Sequence, residues 1–388
     1  MSKRTWVSVV VFLSIFTMFP GEISNGKDGK ELPHTNNGKP WRIAYCESGE
    51  FVNYASTLHA LANGLAELGW LNAQGLPYTQ GQKESRMMWD WLAQHSEGRY
   101  IEFVADAYYS LEKMSADERA ATAQQIIRRL NERQDIDMIL VMGTGAGQLL
   151  ANDQHKVPML VFSSSNAVQA GIIQSVSDSG RDHVWAHMEP ARYQRQIEIF
   201  HDLFAFKKLG MVYDDSPEGR VYAALEDVKK VAAERGFTIA SVSVKDKQNN
   251  REAHRQQMLN AYNTLVDEGV DAVYCSLYLD RDVTELSELF APLYSKHIPT
   301  FAQMGVAEVR NGALLSVYRA DFVGFGKFAA HTMAQVFHGE KPRNLLQVFE
   351  NTPSIVLNLE VAEKVGYNPP FEVFLVTDEI YQKIEKKK

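Results

Sequence analysis

From residue 209 onward the chain repeats one pattern: a short apolar run, a turn of Asp, Ser, Pro or Gly, then a longer segment of helical period closed by glycine. Residues 209–213 lead through Asp214, Asp215, Ser216 and Pro217 into 218–235 and Gly236. Residues 238–244 lead into 251–268 and Gly269, 272–277 lead through Tyr278 and Asp280 into 283–296, and 300–303 end at Met304 and Gly305. Apolar runs too short for helices, alternating with helical segments, imply a parallel sheet with helices on both faces. The first half has the same grammar. Residues 41–45 pass through Ser48 and Gly49 into a helix over 51–68 stopped by Gly69. Strand 100–105 precedes helix 115–133, where Ser115 and Glu118 have capping-box spacing, and strand 137–142 runs into the GTGAG turn 143–147.

Between the halves lies VPMLVFSSSNAVQAG, residues 157–171. Its apolar run, 158–162, reads as a buried parallel strand, and Ser163, Ser164, Ser165 and Asn166 suit a turn and a helix N-cap. The expected architecture is α/β, with two Rossmann-like lobes built on parallel sheets. After Gly312, a strand at 313–318 and a helix at 322–337 return to the first lobe. Strands near 345–349 and 354–359 and helices at 360–365 and 377–386 finish the chain, so that three crossings form a hinge. The expected boundaries are 41–163 plus 307–342 for lobe 1 and 164–306 plus 343–388 for lobe 2. Residues 71–99 exceed the usual connection of about two to six residues. They read as an insertion with its own helix at 84–95, packed on the lobe surface, or alternatively as a lid or docking element.

With 388 residues and 45% hydrophobic content, the chain has material for two globular domains. Its net charge of −8 argues against a nucleic-acid surface. Lys3 and Arg4 precede an apolar stretch, 6–19, that is shorter than the roughly 20 residues of a spanning helix. Residues 1–26 therefore read as an export signal cleaved after Gly26, or retained as an anchor, and 27–40 as a disordered lead. Cys46 and Cys275 fall in different lobes and are expected as buried free thiols.

Catalytic and metal signatures are missing. The serines read FSSSNA rather than G-x-S-x-G, and GTGAG is not a dinucleotide fingerprint. None of the 11 histidines has metal-ligand spacing; His183 and His187 are four apart without an acidic partner. The reading assigns no catalytic residue, no cofactor and no metal.

Several stretches carry a resemblance. WRIAYCESGE and the helix ending GLAELGW, VPMLVFSSSNAVQAGII, KKLGMVYDDSPEG, IPTFAQM and the closing VLNLEVAEKVGYNPP follow one another in family order. Together they resemble the substrate-binding proteins of bacterial ABC transporters, of the type I periplasmic-binding fold, which include tryptophan- and tyrosine-binding members. The tail, with Asn358, Ala362, Gly366, Pro369 and Pro370, is the most specific match. Where members often carry Asp-Pro, this chain has Asn166 and Ala167. The resemblance implies a periplasmic two-lobed receptor that closes on a small solute and presents it to an ABC permease in the inner membrane. A membrane kinase or chemoreceptor is the alternative partner. No nucleic acid is implied, and the chain is expected to be a monomer.

Ligands of open α/β sheets bind beyond the carboxyl ends of the strands. The candidate ligand-binding residues are therefore Ser48, Glu50, Tyr54, Thr144 and Gly145 from the first lobe and Ser164, Ser165 and Asn166 from the crossover. Asp214, Asp215, Ser276, Tyr278 and Gln303 come from the second lobe. Helix starts near Tyr54, Thr144 and Ser165 suit a carboxylate, Asp214, Asp215 or Glu50 an ammonium, and Tyr54, Tyr278 and Tyr318 flat apolar walls. The combination fits an amino acid, aromatic ones included. Each position also has a local reading: Asp214, Ser164 and Ser165 as caps, Tyr54 as a core residue.

Overall fold

The computed structural model describes residues 32–95, 98–245, 250–277, 283–318 and 320–385. The expected export signal and Tyr278 lie outside the described residues. Two sheets organise the rest. The first joins Trp41–Glu47 (β1), Ile101–Ser110 (β2), Met138–Met142 (β3), Met159–Phe162 (β4) and Val184–Ala186 (β5) in the order β2-β1-β3-β4-β5, all parallel. β3 and β4 are buried throughout, as strands covered on both faces must be.

The second sheet joins Lys208–Tyr213 (β6), Thr238–Ser243 (β7), Ala272–Cys275 (β8), Thr300–Ala302 (β9), Leu315–Ser316 (β10), Ile355–Asn358 (β11) and Thr377–Tyr381 (β12). Its order is β12-β11-β10-β9-β8-β6-β7, parallel except where β11 runs against β10. Among the described residues no helix is long and apolar enough to cross a membrane.

The alternation read from sequence is present, but several boundaries move. β5 extends the first sheet, so the chain leaves the first lobe after Ala186 and not at residue 163; Val184, Trp185 and Ala186 are fully buried beside β4. No helix follows Ser163–Asn166, an irregular bend that leads into turns at 167–171, with Ser163 in the left-handed region at φ 54°. β10 pairs with β9 and belongs to the second lobe, not the first as 307–342 implied. The expected strand at 345–349 is a single bridge between Val348 and Met188. The terminal segment expected as a helix is β12, an edge strand whose residues alternate half-buried and exposed. Helix 218–235 is split by left-handed Ala224 into Pro217–Tyr222 and Leu225–Arg235. Part of the presumed lead is ordered: Asn36 and Lys39 pair, and the His34 ring packs on Trp41 and Trp70.

Most other expected elements stand. The capping box is made, with Ser115 Oγ accepting from Glu118 N and the Glu118 carboxylate accepting from Ser115 N at 2.7 Å. The helix Phe322–Phe337 returns to pack on Val52–Glu67. Their backbones meet at glycines: a Cβ on Gly326 would lie 2.8 Å from Ala60 Cβ, and one on Gly64 would lie 2.9 Å from Ala330 Cβ. The insertion packs on the first lobe through its helix Arg86–His95, burying Met88, Trp89 and Leu92. Cys46 and Cys275 are buried, and neither is in a disulfide.

Candidate functional site

Residues in the first few positions after β4, β5, β8, β9 and β10, together with the start of the helix that follows β1, surround one cavity, with about 730 Å³ of non-protein space, its solvent opening included. Its position beyond the carboxyl ends of both sheets is where ligands of such folds sit.

On the first-lobe side, Thr57, Ser163, Ser164 and Ser165 present hydroxyls. They are fixed from behind. Thr57 and Ser163 hydroxyls lie 3.2 Å apart, and Thr144 Oγ1 accepts from Ser165 N at 3.2 Å and contacts Ser164 Oγ at 3.5 Å. Ser48 Oγ donates to Met142 O and accepts from Ala146 N at 2.9 Å, occupying an amide at the start of Thr144–Leu150.

Three chain crossings make the floor. In the first, Met188 N donates to Gln347 O at 2.7 Å, and Phe349 N donates back to Met188 O at 3.2 Å, so the first and third crossings run side by side. His187 shares a 3.0 Å hydrogen bond with Phe349 O, and its burial pulls the imidazole pKa down to about 4, which keeps it neutral. Asn351 joins all three crossings. Its backbone and side-chain N–H groups donate to Glu189 at 3.0–3.2 Å, while its Oδ1 accepts from Asp321 N at 2.6 Å.

The second lobe contributes Arg192, Tyr193, Leu277 and Met304. Arg192 opens the helix Arg192–Phe204, and its guanidinium carbon lies 3.6 Å from the centre of the Tyr318 ring and 4.9 Å from that of Tyr193. Gln303 is fully buried behind Met304, donating to Tyr222 O at 2.9 Å and accepting from Leu277 N. Phe51, Phe322 and Phe325 complete the aromatic part of the wall.

Of the residues expected from sequence, Ser164 and Ser165 line the cavity, as does Tyr318. Ser48, Tyr54, Thr144, Gly145 and Gln303 stand behind its lining: Tyr54 is 5% exposed, and the Gly145 backbone lies against Ser48. Asn166 Oδ1 accepts from Gln169 N inside its own turn. Glu50 is exposed. Asp214 accepts from Ser216 N, Asp215 pairs with Arg220 at 2.7 Å, and Ser276 donates to Val212 O, so these three are satisfied locally away from the lining. Arg192, Glu189, His187 and Asn351 were not found from sequence. β5, only Val184–Ala186, is too short to show as a strand in the sequence; the strand-end rule applied there yields His187 and Glu189 directly. Among the described residues no cluster of His, Cys, Asp or Glu is arranged to hold a metal.

A family model described as ABC transporter substrate binding protein matches residues 105–380. No curated protein matches the sequence. Among solved structures, the ABC domain in complex with L-Trp from Streptococcus pneumonia is similar at TM-score 0.62 and 19% identity, over 88% of this chain and 99% of that one. A conserved domain protein from Vibrio cholerae is similar at TM-score 0.64 and 18% identity, over 88% and 100%. The ligand-free, open structure of a substrate binding protein with adhesive properties from Clostridium difficile reaches 0.58 at 15% identity, over 88% and 100%. At such identities the likeness is one of fold.

Proposed function

Since the chain belongs to the ABC transporter substrate binding proteins, we propose that it encloses a small solute such as an aromatic amino acid in this cleft and presents it to an inner-membrane ABC permease. The carrying observation is that one cavity takes its lining from both lobes and from the crossings between them. A solute touching both sides favours the closed arrangement over the open one, and only that differential contact drives closure. The rings of Phe51, Tyr193, Tyr318 and Phe325 supply flat apolar walls, and Thr57 with Ser163–165 supplies neutral donors and acceptors. The similar Streptococcus protein holds L-Trp, which agrees with that composition. In this reading residues 1–26 direct export, and the mature monomer works in the periplasm by binding and not by turnover.

The test is a thermal-shift screen of the purified mature chain against amino acids, peptides, sugars and nucleosides. A solute at roughly 100 times its Kd stabilises the folded form by about 2.7 kcal/mol. An aromatic amino acid is expected to give the largest rise in Tm. A rise from sugars or nucleosides alone would replace the proposed solute class.

A further inference from the structure

We propose that Arg192 is the anion anchor of the cleft and takes a carboxylate of the solute; this rests on the reading that the cleft is the solute site. Arg192 lines the cavity beside Tyr318 and carries five N–H donors. Few of them are used. Nη2 makes a long contact of 3.5 Å to Gln303 O and another of 3.8 Å to Met304 Sδ, while Nε is buried with no hydrogen-bond partner. Among the described residues it has no carboxylate within ion-pair distance, although Arg42, Arg129 and Arg343 all have one. Leaving buried donors of a cation unpaired is costly, so such a group is expected to find an oxygen partner in the working state.

The acidic groups nearby are committed elsewhere. Glu189 accepts from Asn351, and Asp321 Oδ1 accepts from Gly324 N at the start of Phe322–Phe337. The helix Arg192–Phe204 has no side-chain N-cap, so its positive end reinforces the guanidinium beside the cavity. A planar guanidinium fork matches a carboxylate through two parallel N–H···O bonds. Stacking on Tyr318 fixes the plane of that fork before the solute arrives. This moves the carboxylate site from the first-lobe helix starts to the hinge edge of the second lobe, where Ser163–165 face it from the other lobe.

The experiment compares L-tryptophan, L-tyrosine and L-phenylalanine with their carboxamides by calorimetry on the full mature chain, in the wild type, Arg192→Met and Arg192→Lys. Expected is a loss of at least roughly 30-fold in affinity for the carboxamide in the wild type, and a similar loss for the acid in Arg192→Met. Arg192→Lys keeps the charge without the fork and should fall between. The Tm of the empty Arg192→Met protein should not drop, since an unsatisfied cation has been removed. Equal affinity for acid and carboxamide, or full binding by Arg192→Met, overturns the anchor and leaves the cleft standing. If none of the acids binds the wild type, the aromatic amino acid reading fails, and the anchor with it. The carboxamide arm leaves the protein unaltered, so the test survives even if a variant folds poorly.

Discussion

Gln169 and Asp227 touch across the two lobes: Gln169 Nε2, in the turns after β4, donates to Asp227 Oδ2 at 3.3 Å, and Gln194 Nε2 holds the other carboxylate oxygen at 2.8 Å. Neither Gln169 nor Asp227 lines the cavity, so the pair acts on closure without touching the solute. Gln169→Ala leaves Asp227 its Gln194 partner and removes only the bridge. A hydrogen bond to a charged group contributes about 1.5–3 kcal/mol at best, and this long one less. Solute affinity should therefore fall by about threefold to tenfold, with a larger radius of gyration of the empty protein in X-ray scattering. An unchanged scattering curve and affinity would show that the bridge does not bias closure.

Asn351→Ala should loosen the hinge itself. It strips the side-chain links to Glu189 and to Asp321 N, which tie the third crossing to the other two. Hydrogen exchange should quicken in residues 187–190, 318–321 and 349–353, while amides of β3 and β4 stay protected. Uniform acceleration across both sheets would mean global destabilisation instead.

Glu47 makes stability depend on pH. It is fully buried and accepts from Tyr45 Oη at 2.9 Å and Tyr108 Oη at 2.8 Å. Burial raises its carboxyl from an ordinary 4.5 to about 7, although hydrogen bonds from both tyrosines favour the charged form. The native state thus holds a proton that the unfolded chain has released between those values. Its contribution to stability is fully present below pH 4.5, is lost as pH rises through about 7, and is flat above. The loss is on the order of 3 kcal/mol, and Glu47→Gln should flatten the slope in urea melts across that window.

Gly326→Ala should separate the two helices that close the first lobe. The added methyl meets the Ala60 backbone and Cβ, neither of which can rotate away. Overpacking of this kind costs about 1–3 kcal/mol, read as a lower denaturation midpoint. Solute affinity, measured below the transition, should change little, because neither glycine lines the cavity.

Asp215→Ala, which the sequence alone marks as a binding defect, should leave affinity unaltered. Asp215 is exposed and paired with Arg220, a contact worth little in water.

That contrast marks what could be read from the residues. Apolar runs such as Met138–Met142 and glycine-closed helices make both lobes legible, and the strand-end rule picks out Ser164 and Ser165, which line the cavity. The same rule also drew in Ser276 and Asp214, since a strand end fixes where a residue sits but not whether a carbonyl or amide beside it uses its side chain. Arg192 stayed hidden because the strand before it, Val184–Ala186, is too short to show a period. Five-residue β12, with Asp378 and Glu379 among apolar neighbours, was ambiguous for the same reason.

The helix Phe322–Phe337 places Phe325, Ala329, Ala330, Met333 and Phe337 in the core of a lobe whose last strand ends at Ala186. During translation that core is left without one wall until residue 337 clears the ribosome, on the order of ten seconds later at about 5–20 residues per second. Until then the first lobe cannot reach its full stability, so its folding waits on a segment made after most of the second lobe.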